Sequence, residues 1–124
     1  MGGATIASLY TSPANRGPLS NADTIGRAGT PGEGPFATIW LKMEGERIAE
    51  TGFETHGCPY SVACAAWLTQ WAVGKTREEA LVLEAGDLER VLGGLPLGRE
   101  HCAALAVRAL RDGLAKWQEQ GERQ

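Results

Sequence analysis

The stretch Phe36-Ala37-Thr38-Ile39-Trp40-Leu41-Lys42-Met43, followed by Glu44-Gly45-Glu46 and then Arg47 to Thr55, decides the fold. Its first eight residues alternate, with Phe36, Thr38, Trp40 and Lys42 on one face and Ala37, Ile39, Leu41 and Met43 on the other. That period of two is the pattern of a strand with one buried side. A short polar link with a glycine leads into a second alternating run through Ile48 and Phe53, so the economical reading is an antiparallel hairpin.

Working outward, residues 11–35 carry Pro13, Gly17, Pro18, Gly26, Gly29, Pro31, Gly32, Gly34 and Pro35, a density of breakers that predicts loop with at most one edge strand. On the other side the texture turns helical. Val62, Ala65, Ala66, Leu68, Thr69 and Ala72 recur at spacings of three and four, and Gly74 stands where a helix should stop, predicting a helix over 59–73. Thr76 and Glu79 form a capping-box pair ahead of Ala80, Leu81 and Leu83, and a further short helix is expected over 87–92. After Gly93-Gly94-Leu95-Pro96, the residues Cys102, Leu105, Ala109, Leu110, Leu114 and Trp117 mark one face of a long amphipathic helix. Strands first and helices afterwards predict an α+β fold, a small antiparallel sheet of two to three strands with helices packed on one face.

At 124 residues, 43% of them hydrophobic and 22% charged, the chain has the size and balance of one folded domain. The expectation is a single domain over 1–124, with an N-terminal segment at 1–20 and a frayed tail at 119–124. A net charge of −3 with scattered Lys and Arg argues against nucleic acid as the partner. Lys42, Glu50 and Arg77 interrupt every candidate membrane span. Residues 1–10 lack the pattern of a secretory leader, and the expected location is the cytoplasm. No nucleophile elbow, phosphate-binding loop or carboxylate pair offers hydrolase or nucleotide chemistry.

Three cysteines remain to carry chemistry. Cys58 follows Gly57 at a strand-to-helix junction, and Cys102 sits in the first turn of the last helix, where partial positive charge favours a thiolate. His101 beside it adds an imidazole. Such ligands suit zinc, iron or an iron–sulfur cluster, but two cysteines and one histidine are one short of a tetrahedral set. There is no C-x-x-C pair, and the alternative is that the cysteines are small core residues, which fits Cys64 best, mid-helix among Ala63, Ala65 and Ala66. His56, at the strand end, either faces the site or caps the sheet edge.

These features line up with one family. Tyr10, Pro13, Asn15 and Gly17; Thr55-His56-Gly57-Cys58; Trp71 with Gly74-Lys75-Thr76; Leu95-Pro96-Leu97-Gly98-Arg99; and His101-Cys102 follow in the order and spacing of the NifU/IscU-like iron–sulfur cluster assembly scaffolds, which the chain resembles from about Tyr10 to Gln118. The resemblance implies a binding module with no turnover of its own. A transient cluster or a zinc ion is held by cysteines, and sulfur comes as persulfide from a cysteine desulfurase. The Leu95, Pro96 and Arg99 segment stands where an Hsp70-type chaperone binds, and apo-proteins receive the cluster. It carries ligand roles onto Cys58 and Cys102, with His101 adjacent, in a monomer or a homodimer.

The first family cysteine should lie in a Gly-x-Pro-x-Cys-Gly-Asp loop, yet this chain reads Gly29-Thr30-Pro31-Gly32-Glu33-Gly34-Pro35. Glu33 replaces the cysteine and Pro35 the aspartate. Three readings follow. Glu33 supplies an oxygen ligand, completing a Cys58–His101–Cys102–Glu33 site; or the loop does not ligate, leaving two thiolates and a histidine to bind a metal loosely or bridge a cluster between two protomers; or the chain keeps the scaffold fold and binds a desulfurase or another assembly factor without carrying a cluster. A separate reading makes Cys58 a sulfur-transfer nucleophile.

Overall fold

Residues 36–56 form the expected hairpin, β2 (Phe36–Glu44) against β3 (Arg47–His56), with the end pair Glu44↔Arg47 closed by Gly45 and Glu46. Gly45 has φ 64°, the positive value that a tight hairpin link asks of its first central residue. Ala37, Ile39, Leu41 and Met43 are buried, while Phe36, Trp40 and Lys42 on the opposite face are partly exposed. A bulge between Lys42 and Met43 shifts the register near the turn.

The computed structural model describes residues 6–11, 13–30 and 32–122, with 118–122 as helix backbone only. The ends of the chain at 1–5 and 123–124, together with Ser12 and with Pro31 of the glycine-rich loop, lie outside the described residues. The edge strand is present as β1 (Thr24–Gly29), which pairs antiparallel with β2 from Thr24↔Leu41 to Gly29↔Phe36 and gives the sheet order β1-β2-β3. Four helices follow: α2 (Pro59–Ala72), α3 (Arg77–Leu81), α4 (Ala85–Val91) and α5 (Glu100–Glu122). A short helix ahead of the sheet, α1 (Ile6–Thr11), was not expected; it packs on α2 and buries Leu9.

Helix α2 is buried on nearly every side, because α1, β3 and α5 surround it, which is why Ser61, Ala63 and Cys64 are buried along with the predicted apolar face. Thr76 caps α3 through the predicted box: its Oγ1 accepts from Glu79 N at 3.1 Å and its N–H donates to Glu79 Oε1 at 2.8 Å. Helix α4 begins two residues before expectation, since the Glu84 N–H donates to the Asp87 carboxylate at 2.9 Å and fixes the start there.

Helix α5 lies across β1 and β2. The seam is glycine on glycine: a Cβ at Gly26 would stand 1.9 Å from the Ala109 carbonyl oxygen and 2.5 Å from Gly113 N. Thr24 Oγ1 donates to Gly113 O at 2.8 Å, Arg27 N to Asp112 Oδ2 at 2.8 Å and Lys116 Nζ to Ile25 O at 3.1 Å. The core is Ile39, Leu41 and Phe53 from the sheet against Leu68, Leu110 and Leu114 from the helices, all fully buried. Among the described residues no helix is long and apolar enough to cross a membrane.

Candidate functional site

Cys58 is the N-cap of α2, with extended backbone (φ −92°, ψ 174°) and Pro59 fixing the first helical position. Cys102 lies in the first turn of α5, its N–H donating to the Arg99 carbonyl at 3.1 Å. The fold sets these helix starts side by side, so that two residues 44 positions apart bring their Sγ atoms to 3.7 Å. Cys58 is partly exposed and Cys102 only 1% exposed. His101 is exposed, with Nε2 at 3.8 Å from Cys102 Sγ.

Ser61, which the sequence reading passed over, donates its buried hydroxyl to Cys102 Sγ at 3.3 Å. Its signal was a hydroxyl three residues after Cys58, on the turn that the predicted helix places over the sulfur. A helix start leaves N–H groups without carbonyl partners inside the helix, and here they act on Cys58. Burial pushes its thiol up, but the N–H groups of Ser61 and Tyr60 outweigh it, helped by the Cys102 thiol and the Ser61 hydroxyl, and hold it below the ordinary thiol value. No capping hydrogen bond closes on the sulfur, so the effect is that of nearby dipoles. Burial raises Cys102, and the charge on Cys58 adds to it against the Ser61 hydroxyl and Arg99. Of the pair, Cys58 therefore gives up its proton first.

Cys64 is fully buried in α2, and burial pushes its thiol up to about 12. That is the small core residue the sequence suggested. His56 sits exposed at the end of β3 and stacks on Phe36 at 5.9 Å between ring centroids, covering the sheet edge. Glu33 is exposed on the turn after β1, its N–H donating to the Thr30 carbonyl at 3.0 Å. The loop does approach the residue before Cys58, for Pro35 Cβ lies 3.9 Å from where a Cβ on Gly57 would stand. Yet among the described residues no three His, Cys, Asp or Glu side chains converge closely enough to hold a metal ion. The structure thus brings together Cys58 and Cys102 and places His101 against the second sulfur, while Glu33 joins no converged ligand group among the described residues.

Two thiolates bound at about 2.3 Å to one tetrahedral metal stand about 3.8 Å apart, so the observed sulfur spacing suits a shared metal. Thiolate and imidazole donors favour zinc or iron over magnesium or calcium. Leu95 packs partly against the core, while Pro96, Leu97 and Arg99 are exposed on the segment leading into α5, Leu97 at 96%. A cleft of about 300 Å³ between residues 15–19 and Ala49–Thr51 of β3 is lined by none of the cysteines.

Residues 3–124 match the model of the NifU-like N terminal domain family. The chain is 39% identical over 102 residues to the iron-sulfur cluster assembly scaffold protein IscU 1 of Archaeoglobus fulgidus, covering 82% of this chain and 67% of that protein. To the iron-sulfur cluster assembly scaffold protein IscU of Escherichia coli it is 31% identical over 117 residues, covering 91% of each. Among solved structures, the N-terminal NifU-like protein of Brucella abortus aligns with a TM-score of 0.72 at 19% identity, over 93% of this chain and 92% of that one. A putative scaffold protein for the SUF system from Fervidobacterium islandicum aligns at 0.70 and 23%, over 88% and 93%. At those identities the structures show a shared fold, the α+β class that the sequence predicts.

Proposed function

Since the chain belongs to the NifU-like N-terminal domain family, we propose that it is an iron–sulfur cluster assembly scaffold, a binding module that receives iron and sulfur as cargo and passes them on without turnover of its own. The observation that carries this reading is the meeting of the Cys58 and Cys102 sulfurs at 3.7 Å between two helix starts. Cys58 and Cys102 are the thiolate ligands and His101 the supporting one; Glu33, on the loop where the family has its first cysteine, is the candidate for an added oxygen ligand. Zinc is the alternative cargo for the same donors. The cysteine desulfurase that supplies sulfur and an Hsp70-type chaperone are the proposed partners. The chaperone would meet the exposed Pro96-Leu97 segment and Arg99, and apo-proteins would be the recipients. The proposed location is the cytoplasm.

The test is transfer. Protein loaded without oxygen by a desulfurase, cysteine and ferrous iron should hand a cluster to an apo-ferredoxin, and Cys58→Ala or Cys102→Ala should abolish the handover. Loading unaffected by both substitutions removes the assignment. A second reading, a desulfurase-binding protein that carries no cluster, is favoured by the lack of a converged ligand group among the described residues. Co-purification with the desulfurase, with no transferable sulfide, would select it.

A further inference from the structure

The thiol pair has a chemistry of its own that needs no metal. We infer that Cys58 and Cys102 form a reversible oxidation site, closed by hydroperoxides into an intramolecular disulfide that withdraws both sulfurs together. A disulfide bond is about 2.05 Å long, so the two Sγ atoms at 3.7 Å need approach by less than 2 Å, within the reach of side-chain rotation at two helix starts. The exposures divide the labour. Cys58, partly exposed, is the sulfur that an oxidant meets; Cys102, 1% exposed, is shielded from solvent and lies against Cys58 Sγ. The Ser61 hydroxyl, 3.3 Å from Cys102 Sγ, holds that sulfur in place. Cys64 is fully buried and makes no sulfur contact among the described residues, which leaves a single pair.

The step balances with the peroxide as oxidant. The Cys58 thiolate attacks one peroxide oxygen and the O–O bond breaks; with a proton the other oxygen leaves as an alcohol, or as water from hydrogen peroxide, and Cys58 becomes a sulfenic acid. Cys102 then attacks the Cys58 sulfur. The S–O bond breaks, the S–S bond forms, and the departing hydroxide takes the Cys102 proton as water. Two thiols have given two electrons to one peroxide, and an external dithiol reverses the change by two exchange steps. That closure also blocks cargo loading rests on the scaffold reading; the disulfide itself does not.

Full-length protein, reduced without oxygen, is treated with one equivalent of hydrogen peroxide and then mapped by peptide mass. The expected product is monomeric, has lost two hydrogens, links Cys58 to Cys102 and leaves Cys64 free. Cys102→Ser should stop at a sulfenic acid on Cys58 that dimedone traps, and Cys64→Ala should close as the natural protein does. Accumulation of a sulfinic acid on Cys58 with both partners present, a link through Cys64, or a product dominated by disulfide-joined dimers would overturn the proposal. In parallel, zinc uptake is compared before oxidation, after it, and after dithiothreitol, with loss and recovery expected. Reduced protein that binds no zinc would count against the metal site, while the mapped disulfide would still decide this proposal.

Discussion

Replacing Gly26 by alanine perturbs the seam that seats α5, and with it the helix that carries Cys102. The new Cβ would stand 1.9 Å from the Ala109 carbonyl oxygen and 2.5 and 2.9 Å from Gly113 N and Cα, where ordinary contact begins at 3.4 Å. All three obstacles are helix backbone, so no rotamer change relieves them, and α5 must retreat from β1 by about 1.5 Å. Overpacking of this kind costs about 1–3 kcal/mol. The retreat also stretches the bonds from Thr24 Oγ1, Arg27 N and Lys116 Nζ across the seam, each contributing about 1 kcal/mol. If all three bonds are lost, a total of about 4–6 kcal/mol follows, which for a chain of this size lowers Tm by roughly 10 °C or more. Gly86 is the control. It lies inside α4 with only the Arg90 guanidinium near, at 3.6 Å, and without a positive φ, so alanine there should gain about 0.5–1 kcal/mol. Urea unfolding followed by tryptophan fluorescence measures both. A Gly26→Ala protein within about 1 kcal/mol of the natural one would refute the close seam.

Alkylation by iodoacetamide should modify Cys58 first and at a pH below that of an ordinary thiol, with Cys64 protected until unfolding; faster reaction at Cys102 would contradict the assigned order. Since the folded pKa of Cys58 is depressed, its contribution to stability is present above the ordinary thiol value and is lost as pH falls through the folded one. Cys64, raised to about 12, works in the opposite sense: its contribution is full below the ordinary value of 9.0 and lost as pH rises towards 12, so Cys64→Ala should flatten the decline of stability in alkali. Thr76→Ala, which removes the acceptor for Glu79 N, should cost about 1 kcal/mol in urea unfolding, and no loss would show the box to be idle.

The hairpin and α5 were legible because their patterns were long. Along β2 the buried Ala37, Ile39, Leu41 and Met43 fall on one face, and the face of α5 repeats from Cys102 to Trp117. The short helix α1 was not, because six residues span fewer than two turns and show no period; only its packing on α2 makes it a helix. Strand β1 was half-hidden by Gly26 and Gly29, which read as breakers; Gly26 lets α5 approach the backbone, while Gly29, with φ 80°, sits against Pro35 and Phe36. At the site, sequence order put Cys58 and Cys102 at two helix starts, but their meeting across 44 residues is a tertiary fact. Ser61 stayed out of sight for the same reason, since a serine in a first helical turn is ordinary until a distant sulfur is seen to face it. Glu33 is the opposite case: legible as a substitution for an expected cysteine, and held by the fold on an exposed turn.

Iron and acid-labile sulfide, counted in protein purified and reconstituted without oxygen, test the central claim most directly. The account predicts both elements in the natural protein, and their loss in Cys58→Ala and in Cys102→Ala. Equal content in all three proteins, or none in the natural protein while Glu33→Cys acquires a cluster, would contradict it.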